Sequence, residues 1–191
     1  MKLKVCGITQ LEQLKRLDEL GVNYAGLIFY EQSARCVTNK LAAEEVKPLL
    51  TSLKKVGVFV NAEVDYVMDK VEIFGLDIVQ LHGDETPDFC NHISSQVTVI
   101  KAFRITHSNE QNIDWMIKPY EEYCDYYLFD TNRKNAYGGT GEKFDWKILN
   151  RNKINKPFFL SGGIGLNDVE KLNEFEHPFF YCLDVNSRVA I

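Results

Sequence analysis

The chain has 191 residues, 22 Lys+Arg against 27 Asp+Glu, and a formal net charge of −5. That length bounds it to one domain or two very small ones, and 45% hydrophobic with 26% charged residues excludes global disorder. The acidic balance argues against a nucleic-acid partner, no apolar run approaches the roughly 18 residues of a membrane helix, and Met1 leads straight into a strand-like segment, so a cytoplasmic address is expected.

Short runs rich in Val, Ile, Phe and Tyr recur along the chain, centred near Val5, Ile28, Val58, Val79, Ile100, Leu128, Leu160 and Leu183. They are nearly continuous in apolar character, as strands covered on both faces should be. After the first run, Thr9 and Glu12 form a capping box ahead of Leu11, Leu14, Leu17 and Leu20, with Gly21 as the stop. After the third, Val64, Val67, Met68, Val71 and Phe74 make a helical stripe that ends at Gly75. After the seventh, Asn167 and Glu170 repeat the cap signature before Val169 and Leu172. Segments 42–53, 85–96, 108–121 and 144–150 are weaker helical patterns, long enough to fill the remaining connections.

Strand centres about 25 residues apart match the length of one βα unit. Eight strands with seven intervening helices and no linker or composition break predict an α/β fold, a (βα)8 TIM barrel spanning 1–191 as a single domain. An open doubly wound sheet is the alternative. So few residues follow the eighth strand that no final C-terminal helix is expected.

Five cysteines, Cys6, Cys36, Cys90, Cys124 and Cys182, contain no CxxC, and the four histidines show no ligand spacing. Neither a disulfide framework nor a metal site is indicated. In a barrel of this kind, chemistry sits where the strands run out at their C-terminal ends. The residues there are Cys6, Arg35, Asn61, His82, Arg104, Asp130, Ser161 and Asp184. Each has a bland reading alone: Cys6 as a small core residue, Asp130 as a turn residue, His82 as a backbone partner, the arginines as surface charges. Eight at one register point to an active site instead. Ser161-Gly162-Gly163 after the seventh strand and Asn186-Ser187 after the eighth occupy the two loops whose backbone N–H groups often bind phosphate, so a small phosphorylated substrate is expected. A third glycine cluster, Gly138-Gly139-Thr140-Gly141, falls in the long loop 131–143 and reads as a lid or a plain connection.

In order along the chain, KVCGIT at 4–9, GLIFYEQSARCVT at 26–38, VGVFVN at 56–61, VQLHGDE at 79–85, KAFR at 101–104, LFDT at 128–131, YGGTGEKFDW at 137–146, FLSGGI at 159–164 and LDVNS at 183–187 resemble the phosphoribosylanthranilate isomerase family. The resemblance implies an Amadori rearrangement of N-(5-phospho-β-D-ribosyl)anthranilate to 1-(2-carboxyphenylamino)-1-deoxyribulose 5-phosphate in tryptophan biosynthesis, with no cofactor and no metal. It implies that Cys6 is the general base, Asp130 the general acid, Arg35 a contact to the anthranilate carboxylate, and Gly162, Gly163, Asn186 and Ser187 the phosphate site. His82, Arg104 and Asp184 join these as expected substrate contacts. Ala34, Cys36 and Arg188 depart from the family pattern, which has proline, an aromatic and a small residue there.

The chemistry asks for one acid and one base on opposite sides of a sugar. A thiol and a carboxyl start near 8.5 and 3.9, so each must shift toward neutrality, the thiol with help from nearby positive potential. Two other readings compete. A lysine-dependent relative such as indole-glycerol-phosphate synthase would have only Lys101 to use, and a non-catalytic phosphate-binding barrel would have no need of both Cys6 and Asp130. The chain is expected to work as a monomer or a homodimer.

Overall fold

The structure, a computed structural model, describes residues 1–49, 51–106, 109–131 and 146–186. Eight parallel strands close into a barrel in sequence order: β1 (Lys2–Cys6), β2 (Tyr24–Ile28), β3 (Lys54–Phe59), β4 (Ile78–Leu81), β5 (Thr98–Ile105), β6 (Tyr126–Thr131), β7 (Phe158–Leu160) and β8 (Phe180–Val185). Pairing of β8 with β1, Leu183 opposite Leu3 and Asp184 opposite Lys4, completes the ring and excludes the open sheet. Every expected strand centre lies inside one of these strands.

The helices are α1 (Leu11–Glu19), α2 (Ala43–Val46), α3 (Val64–Phe74), α4 (Pro87–Ser94), α5 (Ile113–Ile117) and α6 (Val169–Glu174). Their caps correct the sequence in detail. At α1 the side chain of Gln13, rather than the expected Thr9 and Glu12 pair, accepts the N–H groups of Thr9 and Gln10 at 3.0 and 3.2 Å. At α6 the buried carboxylate of Asp168, rather than the Asn167 and Glu170 pair, reaches back to the Gly165 N–H at 2.8 Å. The stop at Gly75 is as expected, since that residue takes the left-handed φ of 59° that closes α3. The weak segment 42–53 holds only one turn, because Pro48 brings no N–H to extend α2. Between β6 and β7 the described segment holds a 3-10 helix, Trp146–Arg151, so the sixth connection is not α-helical there. Among the described residues no helix follows β8, and none is long and apolar enough to cross a membrane. The loop candidates Gly138, Gly139, Thr140 and Gly141 lie outside the described residues, as do Ser187 and Arg188.

Alternation along each strand sorts side chains between two cores. Outward residues such as Leu27, Val79, Tyr127 and Phe129 pack with Leu14, Leu17, Val67 and Ile93 of the helices. Inward residues Tyr24, Val56, Ile78, Ile100, Ala102, Leu128, Phe159 and Cys182 fill the barrel floor. Two residues further along β4, β6, β7 and β8, the inward position is polar: Gln80, Asp130, Ser161 and Asp184.

Candidate active site

The inward alternation carries Lys4 to Cys6, Ile78 to Gln80 and then His82, Leu128 to Asp130, Phe159 to Ser161 and Cys182 to Asp184. The upper members of these series face one cleft at the C-terminal end of the barrel. Cys6, Arg35, His82, Asp130, Gly162, Gly163, Asp184 and Asn186 all line it, together with Gln80, Ser161 and an apolar wall of Ile28, Val58 and Ile164. Cys6 and Asp130 therefore share one cavity.

Glycines create the room. Gly26 is the register partner of Cys6, and a Cβ on it would lie 2.6 Å from the Cys6 sulfur. Gly7, at φ 85°, lets the Arg35 stem cross its backbone, where a Cβ would meet Arg35 Cδ at 2.8 Å. The chain after β2 folds back on that strand through the Ile28–Cys36 bridge and the bond from Val37 N–H to Ile28 O. That return places Arg35 over the mouth, where its guanidinium donates to the Asn186 side-chain oxygen. Gly162 and Gly163 both hold left-handed φ values, 103° and 66°, which a side-chain-bearing residue would adopt only with strain.

Two polar networks flank the cleft. In one, Lys4 Nζ donates to Asp184 Oδ1 at 2.8 Å and Ser161 Oγ to Asp184 Oδ2 at 3.2 Å. Burial pushes the Cys6 thiol up from its ordinary range; the Lys4 ammonium pulls it down, Asp184 pushes it up, and Arg35 pulls it down. Positive potential is thus present as the sequence required, yet burial outweighs it. In the other network, Gln80 Nε2 sits 2.7 Å from His82 Nδ1, and His82 Nε2 lies 3.2 Å from Asp130 Oδ2. With the Gln80 amide donating, the ring proton occupies Nε2 and faces the carboxylate.

Two expected residues lie elsewhere. Arg104 shares the inward face of β5 with Ala102, but its guanidinium turns to an ion pair with Asp84 and does not line the cleft. Asn61 works between loops: its N–H reaches Glu85 Oε1 at 2.8 Å, and its Oδ1 accepts from Asp84 N–H at 2.7 Å. Ser187 lies outside the described residues. Lys101, the one lysine a lysine-dependent relative would use, is buried and bound to Glu85 Oε2 and Gly83 O, both at 2.8 Å. Sequence reasoning overlooked Lys4 and Gln80. Both stand two residues before a named site residue, and that period-2 offset was the available signal.

A family model described as N-(5'phosphoribosyl)anthranilate (PRA) isomerase matches residues 3–190. The chain belongs to that family. A curated relative, the N-(5'-phosphoribosyl)anthranilate isomerase of Parabacteroides distasonis, is 40% identical over 198 residues, which cover 100% of this chain and 86% of the relative. Among solved structures, one of mutually generated monomers of the dimeric phosphoribosylanthranilate isomerase from Thermotoga maritima matches at TM-score 0.80 and 30% identity, covering 99% of this chain and 88% of that one. A phosphoribosylanthranilate isomerase in complex with reduced 1-(o-carboxyphenylamino)-1-deoxyribulose 5-phosphate matches at TM-score 0.77 and 30% identity, with the same coverage. No group of three or more His, Cys, Asp or Glu side chains among the described residues is arranged to hold an ion.

Proposed function

We propose that this chain, acting as one domain over 1–191, is a phosphoribosylanthranilate isomerase of tryptophan biosynthesis that runs its Amadori rearrangement by general acid–base catalysis. The observation that carries the reading is the placement of Cys6 and Asp130 in one cleft, closed on one side by Gly162 and Gly163 and on another by Arg35.

Asp130 delivers a proton to the ribose ring oxygen as the C1–O bond breaks, and the anthranilate nitrogen's lone pair forms an iminium with C1. Cys6, as thiolate, takes the proton from C2, and the bonding pair moves into the iminium to give an enolamine. Protonation at C1 and loss of the C2 hydroxyl proton yield the ketone, so no atom is gained or lost and no electron acceptor beyond the iminium is needed. Desolvation works in favour of the base here. A thiolate whose pKa is raised abstracts a C–H proton more strongly, although less of it is present at rest. The positive φ loop at Gly162 and Gly163 suits the phosphate, because backbone without Cβ atoms lets its N–H groups approach an anion. Arg35, restrained by Asn186, offers a fork for the anthranilate carboxylate. Gln80 and His82 orient the Asp130 side of the cleft. Ser187, after the eighth strand, joins the phosphate site in this reading, and Asp184 acts beneath the thiol. The substrate is a small phosphorylated molecule, with neither nucleic acid nor membrane involved. The chain acts in the cytoplasm, as a monomer or homodimer.

Loss of substrate fluorescence on adding purified protein to N-(5-phosphoribosyl)anthranilate tests the function. Turnover that disappears in both Cys6→Ala and Asp130→Asn is the expected result. A protein that binds the reduced product analogue but never consumes substrate would mean a binding barrel instead.

A further inference from the structure

Beside the active-site cleft lies one buried charged pair that the proton transfers do not use. Lys4 and Asp184 are register partners on β1 and β8, and Lys4 is completely buried. Apolar side chains of similar volume generally serve stability as well as or better than such a buried pair. Its place is telling: Lys4 and Cys6 are two residues apart on one strand, so both side chains point into the barrel. We propose that Lys4, fixed by Asp184, is the positioning residue that stabilises the Cys6 thiolate for proton abstraction. The inference rests on Cys6 being the base.

The neighbouring geometry fixes the ammonium in one place. Asp184 holds Nζ with one oxygen, while Ser161 occupies the other. The charged groups that bear on Cys6 are Lys4 on its own strand, Asp184 on β8 and Arg35 from the loop after β2. His82 and Asp130 line the opposite part of the cleft, and Cys182 lies one layer below, facing the pair. Burial by itself pulls the Lys4 pKa down, but Asp184 and the Cys6 sulfur hold it above the ordinary lysine value. The ion pair with Asp184 therefore favours the charged ammonium. Desolvation keeps the sulfur basic, and the fixed cation keeps enough of it ionised to act. Arg35 acts on the sulfur less than Lys4 does, with its guanidinium held at Asn186.

Two readouts separate this role from plain packing. The first is the pH dependence of Cys6 modification by methyl methanethiosulfonate, followed by peptide mass spectrometry. The second is the acid limb of kcat/KM. Lys4→Gln should raise the modification midpoint by about one pH unit or more, which makes the sulfur about tenfold slower to react at any pH below it. Lys4→Arg, which keeps the charge, should stay within about threefold of wild type, a tolerance well inside that tenfold step. The double variant Lys4→Gln/Asp184→Asn leaves no unpaired buried charge and keeps the test available if Lys4→Gln does not fold. Its midpoint should also rise, but by less, because the Asp184 charge that opposes thiolate is gone too. In turnover the acid limb should move with the modification midpoint, and kcat should fall more than KM rises. Midpoints unchanged from wild type in folded Lys4→Gln or the double variant, alongside an inactive Cys6→Ala, overturn the role of Lys4 alone. Turnover retained in Cys6→Ala removes the base and this inference with it.

Discussion

The floor and the mouth of the barrel are built by the same strands in the same alternation, yet they solve opposite problems. At the floor, Tyr24, Tyr126 and Tyr181 gather around Phe159 with ring centroids 5.5 to 5.8 Å from it, and the Tyr24 and Tyr181 hydroxyls pair at 2.7 Å. A register shift between Phe158 and Phe159 turns Tyr181 into that group, and the Lys2 ammonium lies 4.9 Å from the Tyr181 ring centre. Two residues higher, the same strands carry Lys4, Gln80, Asp130, Ser161 and Asp184, all nearly buried. Gln80 Oε1 has no hydrogen-bond partner among the described residues, and His82 Nε2 has only the Asp130 carboxylate close by. A packed core rarely tolerates such groups. The floor is arranged for cohesion, whereas the mouth gives up cohesion for reactive groups held in place.

Substitutions at the two ends should therefore separate activity from stability. The largest effect belongs to the mouth: Cys6→Ala and Asp130→Asn should each lower kcat by on the order of 10³-fold, within the usual contribution of a positioned acid or base. Thermal unfolding should be nearly unchanged, since neither side chain is large. Loss of activity together with collapse of the melting transition would blur the division. At the floor the pattern should invert. Phe159→Ala removes a fully buried ring and should cost about 3–5 kcal/mol in denaturant unfolding, while kcat of the protein that remains folded changes little. A large drop in kcat at low denaturant would show that the two ends are coupled.

Gly26→Ala sharpens the boundary, because it adds one methyl where the floor gives way to the mouth. The new Cβ would stand 2.6 Å from the Cys6 sulfur and 3.0 Å from the Cys6 Cα, so the thiol side chain must move and the strands must part slightly. A displacement near 1 Å in a catalytic group can cost about 10²-fold in rate, and a tenfold to hundredfold loss in kcat is expected. Stability should fall by about 1–3 kcal/mol, as for a modest overpacking. Unaltered turnover would mean that the sulfur has more freedom than its surroundings suggest.

Much of this division was legible in the sequence. All eight strand centres were visible as apolar runs, because strands covered on both faces leave no other pattern. The upper rim was visible too, since Cys6, His82, Asp130, Ser161 and Asp184 interrupt or end those runs. Two kinds of feature were not. Caps depend on which side chain swings back, so Gln13 and Asp168 took the places expected of Thr9 with Glu12 and of Asn167 with Glu170. Partnerships across the barrel depend on register: Lys4 meets Asp184 only because β8 closes on β1 at that offset. Arg104 shows the same limit from the other side. Its inward position could be counted along β5, but its turn toward Asp84 rests on a loop from a neighbouring strand.

The smallest effect concerns thiols away from the mouth, and its sign follows from burial. Cys90 and Cys124 pack between barrel and helices, where burial pushes their pKa values up to about 11 and about 12 from an ordinary 9.0. Above the unfolded value, the denatured chain releases these protons while the native chain keeps them. Folding stability is then fully present below pH 9.0 and is lost as pH climbs toward the native values. Each such thiol should steepen the fall by up to about 1.4 kcal/mol per pH unit. Cys124→Ser isolates one of them, because a serine hydroxyl can keep the bond that Cys124 Sγ donates to Tyr120 O at 3.3 Å. Unfolding free energies measured from pH 8 to pH 10.5, on the scale set by these thiol values, should decline less steeply in that variant by roughly one proton's worth. Identical slopes would mean that the alkaline loss arises elsewhere, with the Lys4 ammonium and the Cys6 thiol at the mouth as the next groups to replace.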